Sequence, residues 1–158
     1  MAHKIKWTDI TWNLAWGCLN GCKYCYAKSM AKRVGGKVAT INNLNPEETQ
    51  NLINFKPTFL PKNANKEFPN KPKRIFADSM SDIAYWKKEW IELLFEKANE
   101  YPQHTFQVLT KTPRNLIGYK FPVNIWVGIT AENQENFEKR IEPLKQIQAK
   151  NKFISMEP

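Results

Sequence analysis

The chain has 158 residues, a length that suits one domain with a core of its own. Hydrophobic residues make up 42% and charged residues 25%, the balance of a soluble globular protein, and no apolar run approaches the ~18 residues of a membrane-spanning helix. The net charge of +9 favours polyanions such as nucleic acid, but the lysines are spread along the chain, as on a solvated surface.

The first residues, Met1 to Lys6, lack the apolar stretch of a secretory signal, so a cytoplasmic protein is expected. Residues 10–15 read as a short strand rich in β-branched and aromatic side chains. Alternation there puts Ile10, Trp12, Leu14 and Trp16 on one face, which reads as core packing, with base stacking as the alternative. A cysteine-bearing loop follows. Residues 24–34 have helical composition, and Gly35-Gly36 is expected to end that helix. Residues 37–72 give a weak pattern dominated by Asn, Pro and Lys, and read as an irregular insertion with one short helix over 46–54.

Beyond residue 72 the pattern becomes regular. Strands are expected at 74–77, 105–109, 124–129 and 152–156. Helices are expected at 87–100 and 134–149, the latter disturbed at Pro143, with a short one at 113–117. His104 reads as structural. Strands alternating with helices argue for a parallel sheet, and in such folds ligands gather at the carboxyl ends of the strands. Polar residues stand at those ends: the cysteine loop, Asp78 to Asp82, Thr110-Lys111, Glu132-Asn133 and Glu157.

About five strands and four crossovers fit residues 1–158, whereas a closed eight-stranded barrel takes about 250 residues. The expected fold class is α/β, a single-domain, parallel-sheet (β/α) partial TIM-type barrel, with a doubly wound sheet as the alternative. Its last strand has no helix to cover it. An uncovered edge is a liability, so a chain cut short at its C-terminus, or a second chain completing the barrel, is expected.

The run from Gly17 to Ala27 holds all three cysteines, Cys18, Cys22 and Cys25, spaced C-x3-C-x2-C. An odd number packed into one loop does not suit a disulfide framework. A tight loop brings neighbouring thiolates onto one iron–sulfur cluster, and Gly17 and Gly21 permit the turns between ligands. Three ligands leave one iron open to a substrate or cofactor. A structural zinc site needs a fourth ligand, and His3 and His104 stand at no fixed short spacing from the cysteines. A conventional electron-transfer cluster also wants a fourth cysteine.

With an aromatic before its last cysteine, this spacing resembles the radical S-adenosylmethionine (SAM) signature. The resemblance implies a [4Fe–4S] cluster on Cys18, Cys22 and Cys25, whose open iron chelates SAM. It also implies reductive cleavage to a 5′-deoxyadenosyl radical that abstracts hydrogen, an electron donor such as flavodoxin or ferredoxin, and Tyr24 against the adenine. Ser79, Ser81 and Asp82 would hold SAM's amino end, or cap a helix. Thr110 and Lys111 would take its carboxylate or an anionic substrate, unless they are a capping Thr and a solvated Lys. Glu132 and Asn133 would bond ribose hydroxyls, or serve as first-turn acid and N-cap. Glu157 faces the same mouth.

Longer runs resemble a phage- and bacteria-associated family of uncharacterised three-cysteine radical-SAM-like proteins. They include Lys6-Trp7-Thr8-Asp9, Thr11-Trp12-Asn13, Ser79-Met80-Ser81-Asp82, Thr110-Lys111-Thr112-Pro113, Thr130-Ala131-Glu132-Asn133 and Ser155-Met156-Glu157-Pro158. Many members have a longer gap between the first two cysteines. Members usually continue past this Glu-Pro into further strands and a Gly-Gly-Glu-Ser-Gly-like segment. The expected function is a radical SAM enzyme of unnamed substrate, for which the basic charge and the family setting make nucleic acid or a nucleotide-derived molecule the leading candidate. The alternatives are a zinc-stabilised nucleic-acid-binding module without catalysis and an inactive cluster-binding fragment.

Overall fold

The protein is represented by a computed structural model that describes residues 6–23 and 25–157. Its frame is a five-stranded, all-parallel sheet formed by β1 (Ile10–Thr11), β4 (Arg74–Phe76), β5 (Thr105–Thr110), β6 (Ile125–Ala131) and β7 (Asn151–Met156), in that order. The sheet order follows the chain order, so each crossover adds a strand to the same side. This is the expected partial TIM-type α/β architecture.

The crossovers are amphipathic. Helix α4 (Lys88–Glu100) buries Trp90, Ile91, Leu94 and Ala98 at three- and four-residue spacing, while Lys88, Glu89 and Glu92 face outward. Each fully buried aliphatic contributes about 1.5–3 kcal/mol. Helix α5 (Gln134–Gln146) is capped by Asn133, whose side chain accepts from the Asn136 N–H at 2.8 Å. It ends three residues before the expected limit. Pro143 sits within its last turn, where a missing N–H and a ring do not favour continuation. These helices and β4–β6 enclose a core that includes Ile75, Phe106, Val108, Val127, Ile129 and Leu144. His104 is buried in it. Its Nδ1 accepts from the Lys73 N–H at 3.0 Å and its Nε2 donates to Pro69 O at 2.7 Å, a structural role.

The expected single strand at 10–15 is two pieces. β1 joins the main sheet, and β2 (Ala15–Trp16) pairs antiparallel with β3 (Thr58–Phe59). The chain turns out of the sheet at Asn13, so Trp12 and Leu14 enter the main core while Trp16 enters a second cluster with Ala31, Leu52, Phe55, Leu60 and Met80. The single-face alternation therefore does not hold.

A second correction concerns α1 (Tyr26–Ile41), which runs straight through Gly35-Gly36. Gly35 is buried against α2 (Pro46–Ile53), where a Cβ would meet Leu52 Cδ2 at 2.7 Å. The glycine is there for close helix packing rather than for termination. Residues 37–72, expected to be irregular apart from one helix, hold the end of α1, then α2, β3 and α3 (Pro61–Ala64). The expected short helix is α2, with a reciprocal capping box between Asn45 and Glu48. This segment is tied to the first strand region. Trp12 Nε1 donates to Asn63 O at 2.7 Å, and Asn63 Nδ2 donates to Asn13 O at 2.8 Å.

Among the described residues, no helix is long and apolar enough to cross a membrane.

Candidate cofactor site at the strand ends

Between β2 and α1 the cysteine loop passes over the carboxyl ends of β4, β5 and β6. Its path is fixed by main-chain contacts. Gly17 N–H donates to Met80 O at 2.9 Å, Cys18 N–H donates to Phe55 O at 3.0 Å, and Gly17 bridges to Ser81. Gly17 has φ +109° and Gly21 φ +64°, conformations that glycine adopts without a Cβ clash. Cys25 is the N-cap of α1.

Cys18, Cys22 and Cys25 all line one cavity of about 430 Å³ together with Asp78, Ser79, Ser81, Asp82, Thr110, Lys111, Thr130 and Glu157. Its wall is partly apolar, with Trp7, Phe76 and Leu109. Trp7 lies 4.8 Å from Phe76 and 6.0 Å from Phe153 between ring centroids. The three cysteines also share a niche of about 70 Å³ on the Phe55 side of the loop.

All three thiols are free and half-buried, and Cys18 and Cys25 pack against the second apolar cluster. Burial, above all, pushes the Cys18 thiol up to about 11 despite the two Asn20 donors beside it. Among the described residues, no three His, Cys, Asp or Glu side chains stand close enough to clasp one ion. A cubane cluster offers separate iron corners, so its thiolates attach at separate points rather than meeting at one. Three cysteines around one partly apolar cavity, with N–H donors aimed at two of the sulfurs, fit that group.

Two polar networks support the loop. In the first, Asp82 is buried, and both its oxygens are engaged. Oδ1 accepts from the Ala84 N–H at 2.9 Å, and Oδ2 accepts from Asn20 Nδ2 at 2.7 Å and the Lys111 N–H at 2.9 Å. Asp78 accepts from the Leu109 and Ile83 N–H groups at 3.0 and 3.1 Å. Burial, helped by the nearby Asp82 charge, raises its carboxyl well above the usual range.

In the second network, Lys111 Nζ reaches Glu132 Oε1 at 2.5 Å and Cys22 Sγ at 3.5 Å, and Arg140 Nη1 holds Glu132 Oε2 at 2.9 Å. Burial alone would raise the Glu132 carboxyl. The Lys111 hydrogen bond, a backbone N–H and the two cationic neighbours outweigh it and hold Glu132 at about 2. Lys111 is correspondingly raised against the effect of its burial.

Ser79, Ser81, Asp82, Thr110, Lys111 and Glu157 thus meet the cysteines at one cavity. Within it, Ser79 Oγ exchanges bonds with Asn13, Ser81 Oγ accepts from Trp86 Nε1 at 2.9 Å, and Thr110 Oγ1 accepts from the Thr112 N–H at 2.9 Å. Glu132 lines a neighbouring depression with Cys22, Lys111, Arg140 and Glu157. Asn133 lies outside both cavities, exposed as the α5 cap. Tyr24 lies outside the described residues.

The residues missed by sequence reasoning include the cavity's Trp7, Phe76, Leu109 and Thr130, and the loop's supports Asn20, Tyr85, Thr112 and Arg140. Asn20 sits inside the cysteine loop, a position that could have drawn attention to it. Thr112 stood in a run that carried the family resemblance, but no local pattern marked it, Tyr85 or Arg140 as part of a site. Charge is also uneven around the loop. Residues 10–46 hold Lys23, Lys28, Lys32, Arg33 and Lys37 and no Asp or Glu. Lys23, Lys28 and Lys32 rim an open depression that Cys22 and Cys25 also line.

No curated protein matches the chain. Among solved structures it resembles a double mutant of spore photoproduct lyase with bound AdoMet and dinucleoside spore photoproduct, with a TM-score of 0.56 at 15% identity. The match covers 94% of this chain and 45% of that one, so the chain spans less than half the length of that protein. At this identity the likeness is one of fold. Residues 2–158 match the family described as protein of unknown function (DUF5131), and the chain belongs to that family.

Proposed function

We propose that this chain holds a [4Fe–4S] cluster on Cys18, Cys22 and Cys25 and binds SAM in the adjoining cavity, as a radical SAM enzyme or the cluster-bearing half of one. The observation that carries this reading is the opening of all three cysteines into the cavity lined by the carboxyl ends of the parallel strands. The AdoMet in the spore photoproduct lyase of like fold supports it. When bound, the cluster would supply the electron that cleaves the SAM sulfonium.

The chain's own residues bind, orient and exclude water. Lys111 stands between Cys22 and Glu132 as a cation for a carboxylate or other anion. Ser79 and Ser81 present hydroxyls, and Glu157 a carboxylate, to an ammonium. Asp82 acts on SAM chiefly through the loop it braces, since three N–H groups already engage its two oxygens. Trp7, Phe76 and Leu109 give the cavity an apolar wall that sheds water. An acidic electron donor such as flavodoxin or ferredoxin suits the lysines around Cys22 and Cys25. A nucleotide-derived substrate is favoured by the net charge and by the dinucleoside in the structural neighbour.

Anaerobic reconstitution with iron and sulfide, then dithionite and SAM, tests the reading. The expected result is four irons per chain, a broad band near ~400 nm and 5′-deoxyadenosine as product. Each of Cys18→Ala, Cys22→Ala and Cys25→Ala should lose the cluster. A colourless protein holding one zinc would overturn the reading. A full cluster that never cleaves SAM would reduce it to cluster binding.

A further inference from the structure

The side chain of Asn20 uses both its donor and its acceptor ends. Nδ2 donates to Cys18 Sγ at 3.1 Å and to Asp82 Oδ2 at 2.7 Å. Oδ1 accepts from Tyr85 OH at 3.0 Å and from Thr112 Oγ1 at 2.9 Å. The backbone N–H of Asn20 adds a second donor to Cys18 Sγ at 3.4 Å. Tyr85 OH and Thr112 Oγ1 are themselves 3.2 Å apart. A planar amide with all four contacts made is held in one orientation. Two residues from Cys18, it joins the loop to segments that follow β4 and β5.

We propose that Asn20 is the positioning residue of the cluster site, fixing the Cys18 sulfur and drawing negative charge from it. This inference rests on the cluster reading. A thiolate ligand carries charge that grows when an attached cluster is reduced. An N–H directed at that sulfur stabilises the reduced state more than the oxidised one, and so raises the reduction potential. The contacts to Tyr85 and Thr112 have a separate consequence. They hold the amide so that it need not reorganise when charge arrives, and they resist opening of the loop.

The two roles are separable. Asn20→Ala removes the side-chain donor and the anchor together. Thr112→Val removes one anchor and leaves both N–H groups on Cys18. After anaerobic reconstitution, the midpoint potential is read by EPR-monitored titration, and cluster loss to a chelator is timed. The expected result is a more negative potential in Asn20→Ala and an unchanged one in Thr112→Val, with faster cluster loss in both. Asn20→Ser, whose hydroxyl is too short to span Cys18 and Asp82, should repeat the negative shift if Asn20→Ala fails to fold.

A wild-type potential in a folded, loaded Asn20 variant would overturn the tuning role while leaving the cluster reading intact. A wild-type chain that takes up no four-iron cluster overturns both.

Discussion

Gly17 is pressed against the backbone of Lys56: a Cβ on the glycine would stand 2.2 Å from the Lys56 carbonyl oxygen. The obstacle is main chain, which cannot swing aside, and φ at Gly17 is +109°. Gly17→Ala therefore combines backbone strain with a clash, costing on the order of 3 kcal/mol or more. Chemical denaturation should register that loss. Because Cys18 follows directly, the surviving folded fraction should also take up less iron.

Gly35→Ala has opposing effects. Alanine in a helix interior gains up to about 1 kcal/mol over glycine. The new methyl meets the end of the Leu52 side chain at 2.7 Å and Ile53 Cγ1 at 3.2 Å, and overpacking costs about 1–3 kcal/mol. Net destabilisation of about 1 kcal/mol is expected. Gly36→Ala, with open space around it, should stabilise the protein instead. Thermal melts of the two variants should move in opposite directions, and a shift in the same direction would contradict the close packing of α1 on α2.

Glu132 gives the metal-free protein an acid limb. Its folded carboxyl is held at about 2 against an ordinary 4.5, so the stabilisation is present above about pH 4.5 and is lost as pH falls towards 2. Part of the effect is screened by solvent, which leaves on the order of 1 kcal/mol. Glu132→Gln should be less stable than the parent at pH 7, with the difference shrinking below about pH 4.5 and closing only as pH falls through about 2. Urea midpoints measured across that range check the convergence.

The lysine rim predicts how electrons arrive. Reversing Lys23, Lys28 and Lys32 to Glu should slow reduction of the loaded protein by a reduced flavodoxin at least tenfold at low salt and remove most of its salt dependence. Reduction by dithionite, which needs no docked protein, provides the internal comparison and should change far less. If oligonucleotide affinity falls while the flavodoxin rate holds, this face is a nucleic-acid surface.

Much of the frame was legible in the sequence, because each strand after residue 72 is a short apolar run and α4 repeats apolar residues at helical spacing. The meeting of Asp78 to Asp82, Thr110-Lys111 and the cysteines at one mouth followed from parallel topology alone. Gly35-Gly36 was not legible. A glycine pair looks the same whether it ends a helix or admits a neighbouring one, and Leu52 decides between them from seventeen positions away. The split of the first strand depends on β3, two residues whose pairing has no local signature. Asn20 reads as an ordinary turn residue because its partners Asp82, Tyr85 and Thr112 lie 62 to 92 positions downstream.

Those separations set an order of events during synthesis. The cysteine loop leaves the ribosome ahead of most of its restraints, which beyond the Phe55 carbonyl come from Met80, Ser81, Asp82, Tyr85, Lys111 and Thr112. Closing such distant pairings is slow compared with forming local helices. Until Thr112 has emerged, the three thiols ride on a loosely tethered ribbon, open to stray metal and oxidant. The nascent chain is therefore most vulnerable at its most reactive point during the interval before β5 docks.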